Sequence, residues 1–204
     1  REVKAVLDFY TLLVNESDMM SFIHLFEFAK GVGSAMAKEL YMALKKLGLG
    51  SMFYGLYAPD ESISNPFERK VANQQLGLFD DLLELGSSAK FLKLGFEDKF
   101  MRNPILKHPR LTKESGTFLH EFYLLFRELK GVKEPRTVVR KIASSRIFNH
   151  ICETLCTKRA TLKDGSVDER QKADALMRIK RKMALLEELS VPYKEHDRFL
   201  NAMI

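Results

Sequence analysis

The sequence predicts an all-α protein, an irregular bundle of about seven to nine helices. Three observations carry this. Apolar residues recur at steps of three and four along almost the whole chain. Eleven glycines and six prolines fall at helix-length intervals, where they read as stops and starts. Only two short runs, MFYGLY at 52–57 and RATL at 159–162, have the look of strands. The 204 residues are 46% hydrophobic and 29% charged. That supports one core, or two helical lobes sharing a core, with a boundary near 102–116.

Residues 2–14 set Val3, Val6, Leu7, Tyr10 and Leu13 on one stripe. Ser17 is a candidate cap for a second helix, in which Met20, Phe22, Ile23, Leu25, Phe26 and Phe28 leave little polar face. A helix apolar most of the way round is expected at the centre of the core. Gly31 and Gly33 then break the chain. Ser34 starts a third helix through Leu47, with Gly48 expected to close it in the left-handed conformation. Residues 49–65 read as irregular, holding an aromatic loop of Met52, Phe53, Tyr54 and Tyr57.

Asn65, Pro66 and Glu68 fit the N-cap, N1 and N3 positions of the next helix. It would carry Phe67, Val71, Leu78, Leu82 and Leu85 and stop at Gly86. A shorter helix around 88–101 follows, then a loop at 102–116 punctuated by Pro104, Pro109 and Gly116. Phe118, Phe122, Leu125 and Leu129 stripe a helix that Gly131 closes. Pro135 opens one running to about Lys158, with Val138, Ile142, Ile147, Ile151 and Leu155 inside. KDG at 163–165 is a turn, and Ser166 with Glu169 makes a capping box. The last long helix runs to Leu189 with Leu176, Ile179, Met183 and Leu186 as its packing seam. Pro192 ends it, and 194–203 form a short terminal helix.

Catalytic and metal-binding patterns fail on spacing. GVGSAMAK at 31–38 has two glycines but neither the phosphate-loop spacing nor the third glycine of a dinucleotide fingerprint. It reads as a corner between helices. His120-Glu121 begins like a zinc-protease motif, but Leu124 stands where the second histidine belongs. His150, Cys152 and Cys156 cluster, but two cysteines on one helical face with His150 elsewhere fall short of four ligands. His24, His108 or His120 would have to come close to complete the set. Asp80, Asp81 and Glu84 lie side by side on one predicted helix, unlike a pair facing across a cleft. No catalytic residue, cofactor or metal is expected. The two cysteines fit a buried apolar role and a reducing, intracellular compartment, cytoplasmic or nuclear. No uncharged apolar run approaches the ~18 residues of a membrane span. The chain opens on Arg1, which reads as a domain taken from a longer protein.

Charge is unevenly distributed. Residues 1–129 hold 16 Lys/Arg against 17 Asp/Glu, whereas residues 130–182 hold 15 against 6. The overall net charge of +6 therefore originates in two predicted helices and their turn. Lys133, Arg136, Arg140, Lys141 and Arg146 lie on or beside the first. Arg136 and Arg140 stack, and Arg146 is offset by about 80° if the helix is continuous. Arg178, Arg181 and Lys182 lie on the second, and an antiparallel pairing would merge the two basic faces. The expected function is a non-enzymatic helical binding or scaffold domain. It would engage an acidic or phosphorylated protein segment through these cations, with Phe53, Tyr54 and Tyr57 as apolar anchors. The alternative is an RNA- or DNA-binding domain, of nucleocapsid or ribonucleoprotein type, gripping phosphates with the same face.

Overall fold

The computed structural model describes residues 1–67 and 88–204. Most of the helix expected between Asn65 and Gly86 therefore lies outside the described residues, as do Asp80, Asp81 and Glu84. In chain order the helices are α1 (Glu2–Val14), α2 (Met19–Phe26), α3 (Ser34–Leu47), α4 (Met52–Tyr57) and α5 (Asp98–Met101). A 3-10 turn (Pro104–Lys107) precedes α6 (Lys113–Leu129), α7 (Pro135–Ser144), α8 (Arg146–Ala160), α9 (Glu169–Ser190) and α10 (His196–Met203). The protein is all-α: among the described residues the sole β pairing is an isolated bridge, Thr161 to Val167. That bridge is what RATL contributes. The chain forms two compact units, residues 1–28 with 124–204, and residues 29–123. Residues 102–116 lie within the second.

In the first unit α1 is the hub, packing against α2, α7, α8, α9 and α10. Val6, Phe9, Tyr10 and Leu12 are fully buried, each side chain stabilising the fold by about 1.5–3 kcal/mol. The centre therefore belongs to α1 and not to α2. The second helix buries Phe22, Ile23, Leu25 and Phe26, but its eight residues make only about two turns, too short to meet several neighbours. Its cap is Asp18, whose carboxylate accepts from the amides of Met20 and Ser21, one position past Ser17.

The helix expected from Pro135 to Lys158 is two helices. Ser145 is extended, at φ −71° and ψ 153°. Its hydroxyl donates to the Ile142 carbonyl at 2.7 Å and accepts from the Phe148 amide at 3.3 Å. One serine thus closes α7 and caps α8. Similarly, α9 is capped by Asp168, which accepts from the amides of Arg170 and Gln171. Ser166 instead spends its hydroxyl on Asp164. The seam of α9 is Ala175, Ile179, Met183 and Leu186. At the end of the chain, Nε2 of His196 meets the Val132 carbonyl at 2.8 Å and Nδ1 meets the Tyr10 hydroxyl at 2.6 Å. A carbonyl only accepts, so Nε2 carries the proton and Tyr10 donates to Nδ1.

In the second unit α4 lies tightly against α3. MFYGLY is this helix, neither loop nor strand. Ser51 caps it by accepting from the Tyr54 amide at 3.1 Å, and buried Asn103 donates to the carbonyls of Gly55 and Leu56 at 2.8 and 3.2 Å. Gly48 is not left-handed, with φ −97°; Leu49 and Gly50 make the positive-φ turn. Gly48 serves close approach, because a Cβ there would stand 1.8 Å from the Ser51 carbonyl oxygen. Gly116 lies inside α6, where a Cβ would meet the Phe91 ring at 2.3 Å. Of the helix expected around 88–101, residues 90–95 are turns and Asp98–Met101 is the regular part. Phe91, Phe96 and Phe100 pack there with His120 and Tyr123.

Candidate functional site: a cationic surface on the first unit

The basic segment folds into α7, α8 and α9, and among the described residues its cations meet three carboxylates: Glu187, Glu2 and, through Lys172, Glu153. Arg136 and Arg140, one turn apart on α7, both reach Glu187 of α9. Arg140 approaches Oε1 at 2.7 Å through Nη2 and at 3.0 Å through Nε, and Arg136 at 3.2 Å. The Arg140 hydrogen bond, reinforced by Arg136, holds the Glu187 carboxyl below its usual range.

The second carboxylate is Glu2 on α1, buried at 1% exposure. Lys182 reaches its Oε1 at 2.5 Å and Arg159 its Oε2 at 2.8 Å. Burial alone would raise its pKa. The Lys182 hydrogen bond, a backbone hydrogen bond and Arg159 outweigh that and bring it down to about 2. A buried carboxylate with two cations and satisfied oxygens is a structural element.

These pairs separate the expected patch. Glu187 and Arg178 are nine residues apart on α9, so they point about 180° from one another. The α7 arginines and Arg178 therefore face opposite sides of α9, and the basic faces do not merge as expected. Arg146 begins α8, so the offset of a continuous helix does not apply to it. Lys133, Arg146, Arg178 and Arg181 are exposed and Lys141 is half-buried. None of these five has an ion-pair partner among the described residues. Lys180, also exposed, joins them and was missed because no motif marks it.

The aromatic residues form no continuous patch. Tyr54 is 65% exposed, while Phe53 and Tyr57 are half-buried and stacked on each other at 6.1 Å. Tyr57 also packs on Tyr123 at 5.7 Å, and Met52 is fully buried. All four belong to the second unit.

Sequence reasoning left His108 out of any site of its own. It lines an open groove of about 740 Å³ with Glu39, Met42, Lys46, Phe67 and Arg110. Nδ1 of His108 accepts from the Arg110 amide at 3.2 Å, so Nε2 carries the proton and donates to Glu39 at 2.7 Å. Both ring nitrogens are committed. Burial pushes the His108 pKa down, outweighing Glu39, and Arg110 is itself engaged on Glu39. His120, read as surface or half-buried, is 9% exposed and accepts from the Glu97 amide.

Cys152 and Cys156 are free and buried, with the Cys152 thiol pushed up to about 12 chiefly by burial. His150 is exposed, so the three do not converge. No group of three or more metal-ligating side chains converges among the described residues. No helix among them is long and apolar enough to cross a membrane. Comparison with known protein families, with curated proteins and with solved structures finds no match.

Proposed function

We propose that this chain is a non-enzymatic helical binding domain that engages an acidic protein segment through the cations of α7, α8 and α9. One observation carries this: Lys133, Arg146, Arg178, Lys180 and Arg181 stand exposed and unpaired among the described residues on one unit. A solvated guanidinium gains little from a lone carboxylate at the surface, but several engaging one anionic segment add up. The free buried cysteines fit a reducing, intracellular setting.

An acidic protein suits this surface better than a nucleic acid. Phe148, the aromatic among the basic residues, is 1% exposed and offers no stacking platform. The test is fluorescence anisotropy over about 50–300 mM salt, using an Asp/Glu-rich peptide, its phosphorylated form, and single- and double-stranded oligonucleotides. The acidic peptides should bind, and R178E/R181E should weaken them roughly tenfold. Oligonucleotides outcompeting the peptides, or peptide binding indifferent to the reversals, would overturn the reading.

A further inference from the structure

We propose that Thr161 is a phosphorylation site for a kinase that selects cations ahead of the acceptor and an apolar side chain after it. The site stands apart from the cationic-surface reading; only its consequence for binding rests on that reading.

Lys158, Arg159, Ala160, Thr161 and Leu162 run consecutively, so the RATL segment has a second cation before it. The fold releases this segment from its helix at the acceptor. Helix α8 ends at Ala160, and Thr161 is extended at φ −73° and ψ 123°. A bridge to Val167 holds it in that form. Thr161 to Ser166 are all exposed, and Leu162, at 45% exposure, is an apolar side chain left in water at the turn. Lys158 is exposed with no ion pair among the described residues. Arg159 is 42% exposed and reaches Glu2 through Nη2, which leaves Nε and Nη1 for another carboxylate.

Neighbouring hydroxyls lack this combination. Ser144 follows Arg140 and Lys141 but is the last residue of α7, and a helix about 10–12 Å across does not thread a kinase cleft. Ser145 is committed to capping α8. Ser166 donates to Asp164 and is followed by Asp168 and Glu169, the reverse of a cationic motif.

The Thr161 hydroxyl donates to the Thr157 carbonyl at 2.7 Å, and rotation about χ1 turns it outward. Its oxygen then attacks the γ-phosphorus of ATP. The new O–P bond forms as the bond from that phosphorus to the β,γ-bridging oxygen breaks. ADP departs with the electron pair, and the hydroxyl proton passes to the kinase's carboxylate base. Carboxylates in the kinase cleft pair with Lys158 and Arg159, and Leu162 enters an apolar pocket. The product carries about two negative charges on the turn between α8 and α9, set against the cations of both helices. Acidic segments should therefore bind it more weakly.

The test incubates the full chain with MgATP and a purified basophilic serine/threonine kinase, with an acidophilic kinase in parallel, and locates the label by mass spectrometry. The basophilic kinase should label Thr161. T161V should remove the label and T161S restore it. K158E and L162D, at exposed positions, should each lower kcat/KM for labelling roughly tenfold, with circular dichroism checking that they fold. No label, label at Ser144 or Ser166 in place of Thr161, labelling indifferent to K158E and L162D, or preference for the acidophilic kinase overturns the assignment. Anisotropy with the Asp/Glu-rich peptide then compares modified and unmodified protein, and phosphorylation should weaken binding roughly tenfold. Unchanged affinity overturns the consequence for binding and leaves the site standing.

Discussion

Arg140 holds Glu187 across 47 residues of sequence, placing two guanidinium nitrogens on a single carboxylate oxygen at 2.7 and 3.0 Å. Arg136 adds a third nitrogen to the same oxygen. The fork ties α7 to α9 and occupies two cations that would otherwise face solvent. Glu187→Gln should cost little stability, because exposed ion pairs contribute little. The expected Tm loss is no more than about 4 °C by calorimetry. Acidic-peptide affinity should rise roughly twofold or more as Arg136 and Arg140 are released. An unchanged or weaker affinity would show that these two arginines take no part in binding.

Glu2 makes the acid limb of stability legible. Its folded pKa, about 2, lies below the ordinary 4.5, so the unfolded chain takes up its proton first. The stabilisation is complete above pH 4.5 and is lost as pH falls toward 2. Glu2→Gln should remove about 1.5–3 kcal/mol at neutral pH and flatten this limb. Urea unfolding at neutral and acid pH checks both.

Gly48 and Gly55 set how closely α3 and α4 approach. A Cβ at Gly55 would stand 1.9 Å from the Leu44 carbonyl oxygen, a backbone atom unable to step aside. Gly48→Ala and Gly55→Ala should each destabilise by about 1–3 kcal/mol. Gly131, at φ +80° with nothing within 4 Å, is a control limited by backbone conformation, and Gly131→Ala should cost about 1–2 kcal/mol. Thermal unfolding of the three variants separates close packing from strain.

His108 should resist protonation. Burial lowers its pKa below the ordinary 6.5. Its neutral form therefore supports the fold fully above that value, and the support is lost as pH falls beneath it. Nitrogen chemical shifts across a pH titration should show the Nε2–H tautomer persisting below pH 6.5. A titration at or above the ordinary value would show that Glu39, which raises the pKa, outweighs burial.

Helix identity was legible wherever caps and periodicity agreed. Ser34 to Leu47, the start at Pro135 and the stop at Gly131 stand where the pattern places them. The break at Ser145 was hidden because apolar residues continue in helical step on both sides of it, and a serine hydroxyl decided the matter locally. MFYGLY was hidden by brevity: six residues hold too few turns to show a period, and the helix depends on Asn103, 48 and 47 positions away. The candidate site was half legible. Counting charges located the cations, but whether each is spent depends on Glu187 and Glu2. Those pairings span 47 to 180 positions, and no window of sequence contains both partners.

The hydroxyl of Tyr10 waits for an imidazole 186 positions later, and this orders events on the ribosome. The hub α1 leaves the exit tunnel well before its neighbours α7 to α10. Residues 29–123 emerge in the interval with partners already at hand. The nascent polypeptide therefore carries Val6, Phe9 and Leu12 with only α2 to cover them until those late helices emerge, a long-range closure that slows folding and makes these side chains natural clients for a chaperone.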